Sequence, residues 1–245
     1  MKNGLVSVSF RDKTPEEIAA AAGSCGLYYI EWGGDIHLPP GDVKRAEKMA
    51  ALSEKNGLCP LSYGSYYKLG TGSRFEPVLL TASALGAGII RIWGGEKPSA
   101  ELSRTERLQL AKEASVCAAM ALKQGITVAL ECHAGTVTDS YESAVDFLKT
   151  VGAENFKTYW QPDHRRDIEY NKDAIVALGP YICAVHVFNW DNGRRFPLSA
   201  GSKSWRQYLS LLPKAPLLLE FMPNDSLDEL PSEVAALDKL RGEQM

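Results

Sequence analysis

No two of the five cysteines are spaced as CxxC, and their number is odd. Cys25, Cys59, Cys117, Cys132 and Cys183 are scattered along the chain. A disulfide framework is therefore excluded as the organising device, and reduced, packed thiols are expected. No apolar run approaches the roughly 20 residues that span a bilayer. Met1-Lys2-Asn3-Gly4 leads into a strand pattern without the apolar stretch and cleavage site of a secretory leader. A cytoplasmic protein with no membrane partner is expected. Charge of one sign is also lacking: 27 Lys and Arg stand against 30 Asp and Glu, a formal net charge of −3. That balance offers no general attraction for nucleic acid or an anionic surface. Low-complexity segments and charge blocks are missing, so no disordered tail is implied.

What is present is an alternation of short apolar runs with amphipathic helical stretches. Leu5 to Ser9 reads as a first strand. Thr14, Pro15 and Glu17 then open a helix, with Thr14 as cap, Pro15 in the first turn and Glu17 completing a capping box. Tyr28–Trp32, Cys59–Tyr63, Ile89–Trp93, Thr127–Glu131, Phe156–Gln161, Ile182–Phe188 and Leu217–Phe221 read as seven further strands, each followed by a helical pattern. Strands separated by helices run parallel, and parallel strands covered on both faces read as continuous apolar runs. Residues 1–245 are therefore expected to form one α/β domain, a single (β/α)8 TIM barrel; the length is near the roughly 250 typical of that fold. An open doubly wound sheet is the rival, but Phe10-Arg11-Asp12-Lys13 follows the first strand where a Gly-rich GxGxxG turn would stand.

In such barrels the active site lies where strands end. All four histidines fall at or just past strand ends: His37, His133, His164 and His186. Glu131, His186 and Glu220 each interrupt an apolar run. A buried carboxylate needs a cation or strong hydrogen bonds. One divalent ion shared by these side chains would meet that need; an ion pair inside the barrel is the other explanation. Carboxylate, imidazole and amide donors suit Mn²⁺, Mg²⁺, Co²⁺ or Zn²⁺, an oxygen-rich set leaning to Mn²⁺ or Mg²⁺. Arg194-Arg195 has no Gly-rich phosphate cradle beside it and reads as a solvated loop.

At these residues, in ALECH, YWQPDH, VHVFNW and LLLEF, the sequence resembles the xylose isomerase-like TIM-barrel superfamily, in particular its sugar epimerase and isomerase branch. The resemblance implies metal ligands at Glu131, Gln161, His186 and Glu220. Gln161 stands where the family usually has Asp, so one negative charge is lost. Asp163 supplies a carboxylate instead if its loop bends back. His164 matches a second, substrate-contacting His, and GSKSW, with Gly201 and Trp205, resembles the family's segment after strand seven.

The implied activity is isomerisation or epimerisation of a ketose or related polyol through a metal-stabilised enediolate. Glu131 and Glu220 would act as the proton-transferring pair. His164, His133, Arg91, Trp32, His37 and Trp190 are the expected substrate contacts, although a loop histidine or a packed Trp accounts for several equally well. Two alternatives use the same barrel: a lyase or dehydratase acting on a keto-sugar or keto-inositol, and a carbohydrate-binding barrel without catalysis. An abasic-site endonuclease would need a multi-metal cluster and a basic groove, which four histidines and the charge balance oppose. The expected partner is a small carbohydrate, and the resemblance is compatible with a homo-oligomer.

Overall fold

Helix ends follow the sequence signals closely. The computed structural model describes residues 2–191 and 193–242. Thr14 and Glu17 form the expected capping box at the start of α1 (Pro15–Ser24). Ser103 and Glu106 form another at α4 (Arg104–Leu122). Asp42, Ser140 and Asp167 cap α2 (Val43–Lys55), α5 (Tyr141–Val151) and α6 (Ile168–Leu178) with single side-chain bonds. Gly86 and Gly152, at φ of 74° and 64°, end α3 (Glu76–Leu85) and α5 in the left-handed conformation that an L side chain resists. The helices α7 (Ser202–Leu211) and α8 (Leu230–Gly242) complete the outer ring.

Between the helices run β1 (Asn3–Val6), β2 (Tyr29–Gly33), β3 (Cys59–Lys68), β4 (Ile89–Trp93), β5 (Thr127–Glu131), β6 (Phe156–Trp160), β7 (Ile182–Val187) and β10 (Leu217–Leu219). They pair in parallel in that order, and β10 closes back on β1. The expected single (β/α)8 barrel is the observed architecture. A short antiparallel hairpin, β8 (Trp190–Asp191) with β9 (Arg194–Arg195), follows β7. It was not expected, because two residues per strand carry no readable alternation.

Three strands end two or more residues away from expectation. The first strand stops at Val6, and Ser7–Phe10 coils into a 3₁₀ turn. Ser7 Oγ there accepts from the Gly33 N–H at 2.9 Å and lies 3.0 Å from His37 Nδ1. The eighth barrel strand stops at Leu219, just before Phe221 at φ 55°. β3 runs on to Lys68 with its register against β4 broken after Gly64, and Tyr66 within it has φ 57°. Positive φ in an aromatic residue is strained and persists only where its surroundings hold it.

Alternation along the strands places the site. Val6, Ile89, Ala129, Tyr159, Ala184 and Leu218 share a small cluster inside the barrel, with Tyr29 packed against it. Moving two residues toward the C-terminal mouth from Tyr29, Ile89, Ala129, Tyr159, Ala184 and Leu218 gives Glu31, Arg91, Glu131, Gln161, His186 and Glu220. The intervening residues, among them Ile30, Trp32, Ile90, Ile92, Leu130, Trp160 and Val187, belong to the larger core between strands and helices.

Candidate active site

The polar layer has two halves. On one side Gln161, His186 and Glu220 meet. His186 Nδ1 lies 3.0 Å from Gln161 Oε1 and 3.3 Å from Glu220 Oε2. Gln161 is oriented by its Nε2, which donates to the Cys132 carbonyl at 2.9 Å. The other imidazole nitrogen, His186 Nε2, is buried without a hydrogen-bond partner and faces Glu31 Oε1 at 3.8 Å. Burial disfavours a charged imidazole, but Glu220 and Glu31 outweigh it and push His186 up to about 10.

On the other side stands an internal cation. Arg91 Nε donates to Glu31 Oε1 at 2.8 Å, and Arg91 Nη1 pairs with Glu131 Oε2. Glu31 Oε2 accepts from Ser62 Oγ at 2.8 Å. Burial alone would raise the Glu31 carboxyl, yet the Arg91 charge, His186 and Ser62 together hold it well below the usual range. Arg91 stays charged at any ordinary pH, because its two carboxylate partners outweigh its burial.

Above this layer is a cavity of about 330 Å³. Arg91, Glu131, Gln161 and Glu220 contribute to its lining. Two stacked pairs wall it: Trp93 on His133 with ring centroids 4.3 Å apart, and Trp190 on His164 at 5.2 Å. Tyr66 closes a third side, its ring 5.3 Å from the Arg91 guanidinium and its hydroxyl accepting from Arg11 at 3.1 Å. Phe221 forms the rim beside Trp190.

Of the expected site residues, Glu131, Gln161, Glu220, His133, His164, Arg91 and Trp190 come together here, with His186 behind them. Trp32 and His37 do not. Trp32 is fully buried among the helices and donates to Ser53 Oγ at 3.0 Å. His37 is 2% exposed, bonded to Ser7, with its ring edge-on to Trp32. The parity of β2 accounts for Trp32: with Glu31 inside the barrel, its neighbour points out. Asp163 turns its carboxylate to Arg165 at 2.7 and 2.8 Å, away from the Gln161 group. Gly201 packs tightly on Asn189, where a Cβ would meet the amide at 2.9 Å, and Trp205 Nε1 holds the Phe188 carbonyl at 2.9 Å. Both residues thus fix the chain just past His186. Arg195 pairs with Asp225 and lies over the Phe221 ring.

Glu31, which stands at a strand end, and Tyr66 are the functional candidates to which sequence reasoning assigns no role. Glu31 carried the same signal as Glu131, a carboxylate inside an apolar run. Tyr66 carried none, since its placement depends on a break in register.

A xylose isomerase-like TIM-barrel family model matches residues 18–237. The chain belongs to the xylose isomerase-like TIM-barrel family. Comparison with curated protein sequences gives no match. Among solved structures of similar fold is the probable 3-DHS dehydratase AsbF of Bacillus anthracis, at 20% identity and a TM-score of 0.80, covering 97% of this chain and 99% of that one. D-psicose 3-epimerase of Clostridium cellulolyticum H10 superposes with a TM-score of 0.71 at 14% identity, covering 99% of both chains. An L-ribulose 3-epimerase does so at 0.75 and 14%, covering 99% of this chain and 96% of that one. At these identities the likeness is one of fold. Proteins that share this fold thus include sugar epimerases and a probable dehydratase. Among the described residues, no helix is long and apolar enough to cross a membrane.

Does the site suit a divalent ion? Among the described residues, no group of three or more His, Cys, Asp or Glu side chains is arranged to hold one. The third donor beside His186 and Glu220 is an amide oxygen instead. Adjacent donors around one small dication, at bonds of about 2.1 Å, stand about 3 Å apart. The spacings of 3.0 and 3.3 Å about His186 Nδ1 fit that requirement. Its Nε2 then faces a carboxylate, the usual outer partner of a ligating imidazole.

Proposed function

We propose that this barrel binds one divalent metal ion and isomerises or epimerises a ketose or related polyol by proton transfer. The observation that carries the reading is the convergence of Gln161 Oε1, His186 Nδ1 and Glu220 Oε2 at the cavity floor, with Glu131 also lining that cavity. Gln161, His186 and Glu220 would hold the ion, with Glu131 as fourth donor. The charge count supports this. Glu31, Glu131 and Glu220 oppose one guanidinium, which leaves two negative charges for a dication when His186 is neutral. The oxygen-rich set favours Mn²⁺ or Mg²⁺.

A bound ion would polarise a substrate carbonyl and its neighbouring hydroxyl, acidifying the adjacent C–H. Glu131 takes that proton on one face of the substrate. Glu220 returns one on the other, so the configuration inverts. The Arg91 contact fixes the direction of the Glu131 carboxylate at the cavity wall. The stacked pairs Trp93–His133 and Trp190–His164 present flat walls to the apolar face of a sugar, and His133 and His164 offer ring nitrogens to its hydroxyls. Tyr66 is kept protonated by burial and is a hydrogen-bond donor at the rim.

The test is metal content per chain, followed by exchange of ketose C–H for solvent deuterium with D-tagatose, D-psicose and L-ribulose. About one ion per chain and exchange at the carbon beside the carbonyl are expected. Protein that remains metal-free after incubation with Mn²⁺, Mg²⁺, Co²⁺ and Zn²⁺ would sink the reading. Product analysis separates the elimination alternative, which gives an unsaturated product irreversibly, from epimerisation, which reaches equilibrium.

A further inference from the structure

Glu131 is the one expected donor whose carboxylate is engaged by a cation outside the expected donor set, whereas Glu220 meets only its fellow donor His186. Arg91 holds its Oε2 and is itself held from behind by Glu31, whose second oxygen takes the Ser62 hydroxyl. The assembly is enclosed, with Arg91 2% and Glu31 0% exposed. Gly64 makes room for it: a Cβ there would stand 2.7 Å from Arg91 Nη2 and 2.8 Å from Glu31 Oε1. The guanidinium has no solvent to turn into, and leaving either carboxylate would strand a buried charge.

Building on the metal-dependent reading above, we infer that Arg91, anchored by Glu31, is a fixed internal cation that shares Glu131 with the metal ion and so sets how tightly the ion is held. A carboxylate that accepts from a guanidinium donates less to a metal, and the positive charge opposes a dication in the same buried layer. Glu31 moderates both effects by taking part of the guanidinium's attraction. Glu31 and Arg91 are thus positioning residues for Glu131.

The two changes have opposite expected signs. Glu31→Gln leaves Arg91 with a single carboxylate partner, tightens its grip on Glu131 and weakens metal binding. Glu31→Gln with Arg91→Met removes both charges, frees Glu131 and strengthens metal binding. A purely structural role would shift both variants the same way, since each disrupts the same ion-paired assembly.

The experiment titrates MnCl₂ calorimetrically into chelator-treated full-length chain, with a thermal melt on each variant. Relative to wild type, Kd should rise about fivefold in Glu31→Gln and fall about tenfold in the double variant, from the Coulomb terms involved. Wild type that binds Mn²⁺ while the double variant binds no more tightly overturns this inference and leaves the metal site standing. Should the double variant fail to fold, Arg91→Gln decides, since it frees Glu131 while the Glu31 carboxylate still faces His186, and an unchanged or higher Kd overturns the inference. Wild type that binds no Mn²⁺ overturns the metal reading and this inference together.

Discussion

The two halves of the polar layer solve the same problem differently. Around Glu31 and Glu131, buried negative charge is met by a guanidinium built into the chain. Around Glu220 it is met by an imidazole and an amide, groups that a metal ion can use as donors. One half is closed around its own cation and keeps a single net negative charge. The other can lose a proton and take up a cation. A carboxylate in an apolar strand therefore says only that a positive partner exists; the neighbouring strands decide whether that partner is protein or ion.

The sharpest way to break the comparison is to remove the built-in cation alone. Arg91→Met strands Glu31 and Glu131, and should cost about 3–5 kcal/mol of stability, the usual result of orphaning a buried pair. Urea denaturation of the metal-free protein measures it, and a loss under about 1 kcal/mol would mean that the closed half is not closed. On the open half, Glu220→Ala should leave the fold intact and weaken Mn²⁺ binding by roughly 100-fold or more, as loss of a charged donor does. Calorimetry with retained Mn²⁺ affinity would remove Glu220 from the donor set.

The halves should also part in pH. His186 is raised to about 10 from an ordinary 6.5. Its contribution to the metal-free fold is full below about 6.5 and lost as pH climbs toward 10. Glu31 is lowered, so its contribution is full above the ordinary carboxylate range and lost in acid as pH falls through the folded value. Melting temperatures in chelator between pH 7 and 10 should fall further for wild type than for His186→Gln; equal slopes would refute the assignment. The smallest effect belongs to the walls. His133→Ala removes one stacked partner, worth about 0.5–1.5 kcal/mol. It should raise the apparent KM of an active ketose by up to about tenfold with little change in metal affinity.

Much of the fold was legible because its signals are local. Thr14, Ser103 and Asp42 act within one helical turn, and the apolar runs report burial on both faces. The inward polar layer was legible at Glu131, His186 and Glu220 because a polar residue in such a run has to be answered by something. Trp32 and His37 were expected at the mouth and lie elsewhere, since nearness to a strand end does not say which face a side chain takes. Glu31, one residue from Trp32, was the inward one.

Local sequence by itself determined eight strand–helix units, their parallel sense and the residues whose charge demands a partner. Only the closed barrel decided who the partners are. Arg91 meets Glu31 across 60 positions of sequence and Glu131 across 40, contacts that no spacing rule encodes. They exist because closing the sheet brings β2, β4 and β5 onto one interior layer, where a buried charge has no water to turn to and must take the nearest opposite charge.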